Sequence, residues 1–175
     1  VWVDGSVAAG LDARVAALDH GLTVGDGVFE TLRVARGRPV LWGRHLRRLH
    51  HGLRTMGLVD PDDEQAVADL DRRLREGVRA VLSRRGDPDA RVRLTVTSGA
   101  GPLGPRRGPG PLTLVVAAAH HDPPPEAITA CTVRWTRNER GALAGVKSTS
   151  YGEGVVLLDH AARVGADEAI LADTT

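Results

Sequence analysis

The chain has 175 residues, 42% hydrophobic and 26% charged, enough for one ordinary domain or two small ones around a real core, and too apolar for wholesale disorder. A net charge of +1 lacks the basic excess of a nucleic-acid binder, and the single cysteine, Cys131, excludes an internal disulfide. No apolar run approaches the roughly 18 residues of a bilayer span, and Val1-Trp2-Val3-Asp4-Gly5 lacks the basic-then-apolar order of an export signal, so a cytoplasmic protein with no membrane partner is expected.

The first forty residues read as short strands and turns. Residues 1–3 form a strand that meets Asp4-Gly5, a hairpin signal. Residues 15–18 read as a second strand, followed by a glycine-rich run over 19–27. Over 28–34, Val28, Glu30, Leu32 and Val34 alternate with Phe29, Thr31 and Arg33, a strand whose two faces are both mixed. Arg36-Gly37 then turns the chain into residues 39–42.

Over 44–56 the period changes. Leu46, Leu49, Leu53 and Met56 recur at spacings of three and four, one apolar stripe on a helix. Asp60-Pro61 predicts the start of a second helix, with an acceptor at the cap and proline in the first turn. That helix carries Val67, Leu70, Leu74, Val78, Val81 and Leu82 on one side and ends near Gly86. Residues 91–97 alternate Val92, Leu94 and Val96 with polar side chains, as a half-buried strand does. The glycine- and proline-rich stretch 98–111 is a loop, and the continuous apolar run 112–119 predicts a strand buried on both faces.

His120-His121-Asp122-Pro123-Pro124-Pro125 is a stiff connector, dividing the chain into a domain at 1–119, a linker at 120–125 and a second domain from 126 to 175. The second part reads as a strand (128–135), a turn region (138–145), a helix (154–164) and a strand (169–172). Strands and helices mix without strict alternation, which predicts an α/β fold.

Two binding classes can be weighed on the same residues. The stretch 44–54 holds four arginines and three histidines that could grip nucleic-acid phosphates, but near-zero net charge and scarce aromatic side chains argue against that partner. The seven histidines suggest metal, yet the adjacent pairs His50-His51 and His120-His121 do not point together, and His45 stands five residues from His50 rather than three or four. Surface histidines and no metal are expected, with His160 on an exposed helix face.

The basic residues carry a sharper signal. Of 23, 22 are arginine, and Lys147 is the single lysine. Where charge alone is needed arginine serves; a lysine amine can also lose its proton and act as a nucleophile or base. A solvated surface lysine is the alternative. Lys147 follows the glycine-bearing apolar run Gly141-Ala142-Leu143-Ala144-Gly145-Val146 and precedes Ser148-Thr149-Ser150-Tyr151, which ends in the chain's one tyrosine.

Three motifs in order resemble the class IV family of pyridoxal-phosphate (PLP) aminotransferases and aminodeoxychorismate lyases. They are Asp19-His20-Gly21 through Gly25-Asp26-Gly27-Val28-Phe29-Glu30-Thr31-Leu32-Arg33, then His45-Leu46-Arg47-Arg48-Leu49, then Lys147-Ser148-Thr149-Ser150-Tyr151 with Gly165-Ala166-Asp167-Glu168-Ala169-Ile170 beyond. The resemblance implies a two-domain fold, a smaller N-terminal α/β domain and a larger C-terminal domain only partly present here. It implies PLP as cofactor and a homodimer. It also implies that Lys147 holds PLP covalently and shuttles the substrate proton, that Arg48 grips the cofactor phosphate and that Tyr151 contacts the PLP phenolic oxygen. Arg93 would bind a substrate carboxylate, with Arg91 on the same strand face as competing candidate, and Phe29 and Thr31 would approach the substrate.

The family continues with a glutamate that pairs with the pyridine nitrogen. The sequence stops at Asp173-Thr174-Thr175, short of it, and reads as part of a longer protein. The run Trp135-Thr136-Arg137-Asn138-Glu139-Arg140-Gly141-Ala142-Leu143 most resembles aminodeoxychorismate lyases, and residues 98–110 depart from the arginine-glycine-tyrosine pattern common at that place in the family. A 4-amino-4-deoxychorismate lyase is therefore expected, with a branched-chain or D-amino-acid aminotransferase as the alternative.

Overall fold

Asp4 and Gly5 take positive φ (45° and 100°), the conformation a tight two-residue hairpin requires, and join β1 (Trp2–Val3) to β2 (Ser6–Val7) with Trp2 opposite Val7. The computed structural model describes residues 1–60 and 62–174. Along them follow α1 (His20–Thr23), β3 (Gly27–Ala35), β4 (Arg38–Pro39), α2 (Trp42–Thr55), α3 (Glu64–Arg85), β5 (Ala90–Thr97), β6 (Thr113–Ala119), β7 (Ala130–Arg137), α4 (Gly152–Arg163) and β8 (Glu168–Asp173). Two compact units result: Val1–His121 together with Val146–Thr149, and Asp122–Gly145 together with Ser150–Thr175.

In the first unit a six-stranded sheet has the order β2-β1-β6-β5-β3-β4, with every pair antiparallel. One face packs on α2 and α3. Val28, Leu32, Val34, Val92, Leu94, Val96, Leu114 and Val116 all point into that layer and are at most 2% exposed. They meet Leu46, Leu49 and Leu53 of α2 and Leu70, Leu74, Val78 and Val81 of α3, the stripes read from the sequence. Helix α2 lies close on β3: a Cβ at Gly52 would stand 2.9 Å from Val28 Cγ1. That approach sets how near the polar side of α2 comes to the strand.

Several expectations need correction. Residues 15–18 form no strand; Val15 and Leu18 are 44% and 48% exposed, and the backbone pairing there is a single bridge, Asp19 opposite Ala100, with Gly101 N donating to Leu18 O. The glycine-rich run hides α1, capped by Asp19, whose carboxylate accepts from Gly21 N. The cap of α3 is Asp63, accepting from Ala66 N, rather than Asp60, and Pro61 lies outside the described residues. Strand β6 is not buried on both faces: Leu114 and Val116 are buried, but Val115 and Ala117 are half-buried and Ala119 exposed, because the helices cover only one side of the sheet. His20 is no surface residue either; it is 1% exposed, with Nε2 2.9 Å from the Pro102 carbonyl oxygen.

In the second unit β7 and β8 run parallel, and α4 supplies the crossover such a pair needs. Leu157 and Ala161 of α4 are buried, as is Val133 of β7, and Trp135 meets the His160 ring edge-on at 5.3 Å. His160, expected to be exposed, is half-buried through this contact. Among the described residues no helix is long and apolar enough to cross a membrane.

Candidate active site

Between β7 and α4 the chain passes through the first unit, and this detour places the lysine. Phe29 N donates to Lys147 O (3.0 Å), Thr149 N donates to Gly27 O (2.8 Å), and Val28 and Ser148 stand opposite one another as an antiparallel bridge. The Thr149 hydroxyl adds a bond to Gly25 O at 2.8 Å. Residues 147–149 therefore extend the sheet along the N-terminal half of β3, while β4 pairs with Val34 and Ala35 at its far end. Between these two partners, Glu30 to Leu32 have no strand on that side among the described residues.

Antiparallel pairing puts Lys147 and Phe29 on the same face. It is the face turned away from α2 and α3. Lys147 Nζ lies 4.3 Å from the centroid of the Phe29 ring, and the Arg93 guanidinium carbon lies 3.6 Å from the same centroid. Thr31 is opposite Arg93 in the β3–β5 register, and Arg33 is opposite Arg91. A hollow of about 400 Å³ is lined by Thr31, Arg91, Arg93, Ala117, Ala118 and Ala119, where the small side chains of β6 leave room beside the arginines. The sheet thus brings together Lys147, Phe29, Thr31, Arg93 and Arg91.

Arg48 is placed on the other side of β3. Glu30 follows the alternation into the helix-covered layer, where its carboxylate has 0% exposure. Arg48 Nε reaches Glu30 Oε1 at 2.5 Å, Arg48 Nη2 reaches Oε2 at 2.6 Å, and His45 Nδ1 lies 2.8 Å from Oε2. Burial pushes the Glu30 carboxyl up, but the hydrogen bonds from Arg48 and His45 outweigh it and hold the group below the usual carboxylate range. The Arg48 side chain remains 53% exposed. Sequence reasoning missed Glu30 and His45. A signal existed: one acid in the apolar row Val28, Leu32 and Val34, and a His-Arg pair three apart on a helix. Tyr151 belongs to the second unit, at the N-cap of α4, 48% exposed, with its ring against Gly154.

The loop after β5 is stapled down by a residue not singled out in the sequence. Arg107 donates to both Asp26 oxygens (2.6 and 2.7 Å) and to the carbonyls of Met56 and Gly57 (2.7 and 2.8 Å). The Arg107 hydrogen bond, outweighing burial, holds the Asp26 carboxyl below its ordinary value. A carboxyl depressed in the folded state adds stability above its unfolded pKa of about 3.9, and that stability is lost as pH falls through the folded value. Arg107→Gln is therefore expected to lower the unfolding midpoint at pH 7, with the gap to the parent narrowing below about pH 4. Melts across this range check it; a gap independent of pH would remove Asp26 from the account.

Residues 27–175 match the family described as amino-transferase class IV. The chain belongs to that family. It is 32% identical over 180 residues to a candidate branched-chain-amino-acid aminotransferase of Methanocaldococcus jannaschii, covering 99% of this chain and 59% of that protein. Among solved structures it resembles 4-amino-4-deoxychorismate lyase from Pseudomonas aeruginosa (30% identity, TM-score 0.75, 99% of this chain and 61% of that one). It also resembles a hypothetical aminotransferase from Mycobacterium tuberculosis in its PLP-bound form (28% identity, TM-score 0.72, 98% and 62%). The chain thus spans about three fifths of the length of these relatives. Among the described residues no group of three or more His, Cys, Asp or Glu side chains could hold a metal ion.

Proposed function

We propose that this chain is the lysine-bearing part of a PLP-dependent 4-amino-4-deoxychorismate lyase-like enzyme, cytoplasmic and homodimeric. One observation carries the reading: the single lysine is pinned by backbone pairing onto β3, on the same sheet face as Phe29 and the arginines of β5. The donor set fits the cofactor, with one amine for an aldehyde, a guanidinium with spare N–H groups for a phosphate, and further guanidinium groups for carboxylates.

When bound, PLP supplies an aldehyde that captures amines and a ring that accepts electrons from the carbon bearing the amine. The Lys147 amine would hold that aldehyde and, once displaced by the substrate amine, take the proton from the amine-bearing carbon. Arg48 would hold the phosphate, and Tyr151 the phenolic oxygen. The Phe29 ring, beneath both Lys147 and Arg93, keeps water from one side of the amine. Arg93 would orient the substrate carboxylate, with Thr31 beside it. In the lyase reading that proton would be lost from the ring carbon and the ring carbon–oxygen bond would break; the departing enolpyruvate would take up a proton to become pyruvate, leaving 4-aminobenzoate.

The arginine content of the face favours the lyase. Arg33, Arg91 and Arg93 project from adjacent strands, and 4-amino-4-deoxychorismate carries two carboxylates, whereas a branched-chain amino acid presents one and an apolar side chain. Aminotransferase activity is the second reading, favoured by the relative matched over nearly the whole chain. Incubating the purified full-length protein and PLP with 4-amino-4-deoxychorismate is expected to yield equimolar 4-aminobenzoate and pyruvate. Amino transfer to a keto acid without aromatic product would decide for the second reading.

A further inference from the structure

We propose that Glu30 is a positioning residue: its buried carboxylate, braced by His45, takes one edge of the Arg48 guanidinium and aims the remaining N–H groups at the cofactor phosphate. The inference rests on the reading of PLP and Arg48 given above.

A carboxylate with no exposed surface stands in the row formed by Val28 and Leu32, themselves 1% and 2% exposed. An apolar side chain would pack there without any need for partners, and a buried ion pair is weak evidence for stability in its own right. Here both carboxylate oxygens are engaged, one by Arg48 Nε and the other by Arg48 Nη2 and His45 Nδ1. A bidentate pair fixes the plane of the guanidinium as well as its position. Five N–H groups lie in that plane, and those not facing Glu30 point outward from the fork, on a side chain that is half exposed. His45, three residues before Arg48 on α2, reaches the same oxygen as Nη2 and keeps the carboxylate from rotating about its own bond.

Two effects of Glu30 on an anion at Arg48 have opposite signs. Its negative charge weakens the attraction. Its grip removes rotamer freedom from the arginine before the anion arrives. Positioning requires that the second effect win, which makes the sign of one measurement decisive.

The measurement uses full-length protein stripped of cofactor and titrated with PLP and with pyridoxal, the same aldehyde without the phosphate, by absorbance. Glu30→Gln is expected to lower the preference for PLP over pyridoxal about tenfold while leaving pyridoxal affinity in place. Glu30→Asp, which keeps the charge but withdraws the carboxylate by one methylene, is expected to lower it in the same direction. In an Arg48→Ala background, where the preference has already fallen, Glu30→Gln should change it less than about twofold, because its effect passes through Arg48. A preference unchanged or raised by Glu30→Gln overturns the proposal. Should that variant not fold, His45→Gln, at a partly exposed side chain, is expected to lower the preference about threefold by loosening the carboxylate, and no drop there overturns it equally. A parent protein that takes up neither aldehyde, or an Arg48→Ala variant with undiminished preference, would instead refute the reading of PLP and Arg48 on which this one stands.

Discussion

Replacing Lys147 with alanine in the full-length protein is expected to abolish covalent cofactor uptake and to lower turnover by at least about a thousandfold. On the proposed reading one amine would carry two functions, the bond to the PLP aldehyde and the movement of the substrate proton. The readout is the absorbance band near the edge of the visible, and the borohydride-trapped adduct that maps to residue 147. Since Lys147 is the only lysine in these 175 residues, an adduct elsewhere in this stretch has no amine side chain to form on. Lys147→Arg separates chemistry from charge. A guanidinium keeps the positive charge above the Phe29 ring but stays protonated, so it is expected to be as inactive as alanine while folding at least as well. Retention of a reducible band in either variant would sink the assignment of the lysine.

The second large effect concerns substrate. Arg93→Ala is expected to raise KM for the carboxylate substrate about 10- to 100-fold, the loss of one charge-assisted hydrogen bond, with a smaller fall in kcat. Arg93 shares the Phe29 ring with Lys147, so a carboxylate held on its guanidinium would lie beside the amine. Arg91 is one side-chain step further along the same face of β5; both arginines are exposed, but Arg93 is held over the Phe29 ring, whereas Arg91 stands opposite Arg33. Its contribution is that of a screened surface charge, and Arg91→Ala is expected to raise KM only about two- to fivefold and to lose even that at high salt. Equal effects at the two positions would mean that the face attracts anions as a diffuse field and holds none in register.

The parts of this arrangement that sequence revealed are those governed by local periodicity. Alternation puts Arg91 and Arg93 on one face of β5 and groups Phe29 with Thr31 on β3; that the two pairs share a face needs the antiparallel register that sets Thr31 opposite Arg93. The stripe of α2 was equally plain. Failures arose where a long-range partner decides. Residues 112–119 are apolar but for Thr113, so periodicity is silent, and it is the packing of α2 and α3 on the opposite face that distinguishes buried Leu114 and Val116 from exposed Ala119. Nothing in Lys147-Ser148-Thr149 marks three residues as an added strand, since the pairing is with Gly27 and Phe29. Glu30 made the strand look mixed on both faces; its meaning needed α2 to bring His45 and Arg48 over it.

The Thr149 hydroxyl reaches back 124 residues to Gly25, and the whole lysine segment joins a sheet whose other strands are complete by residue 119. Closing so long a loop costs entropy before any contact compensates for it. As the polypeptide leaves the ribosome, the strands and both long helices of the first unit can form while the amine is still unsynthesised. Docking of residues 147–149 can therefore come last, onto a platform whose own strands and helices need nothing from that segment to be synthesised first.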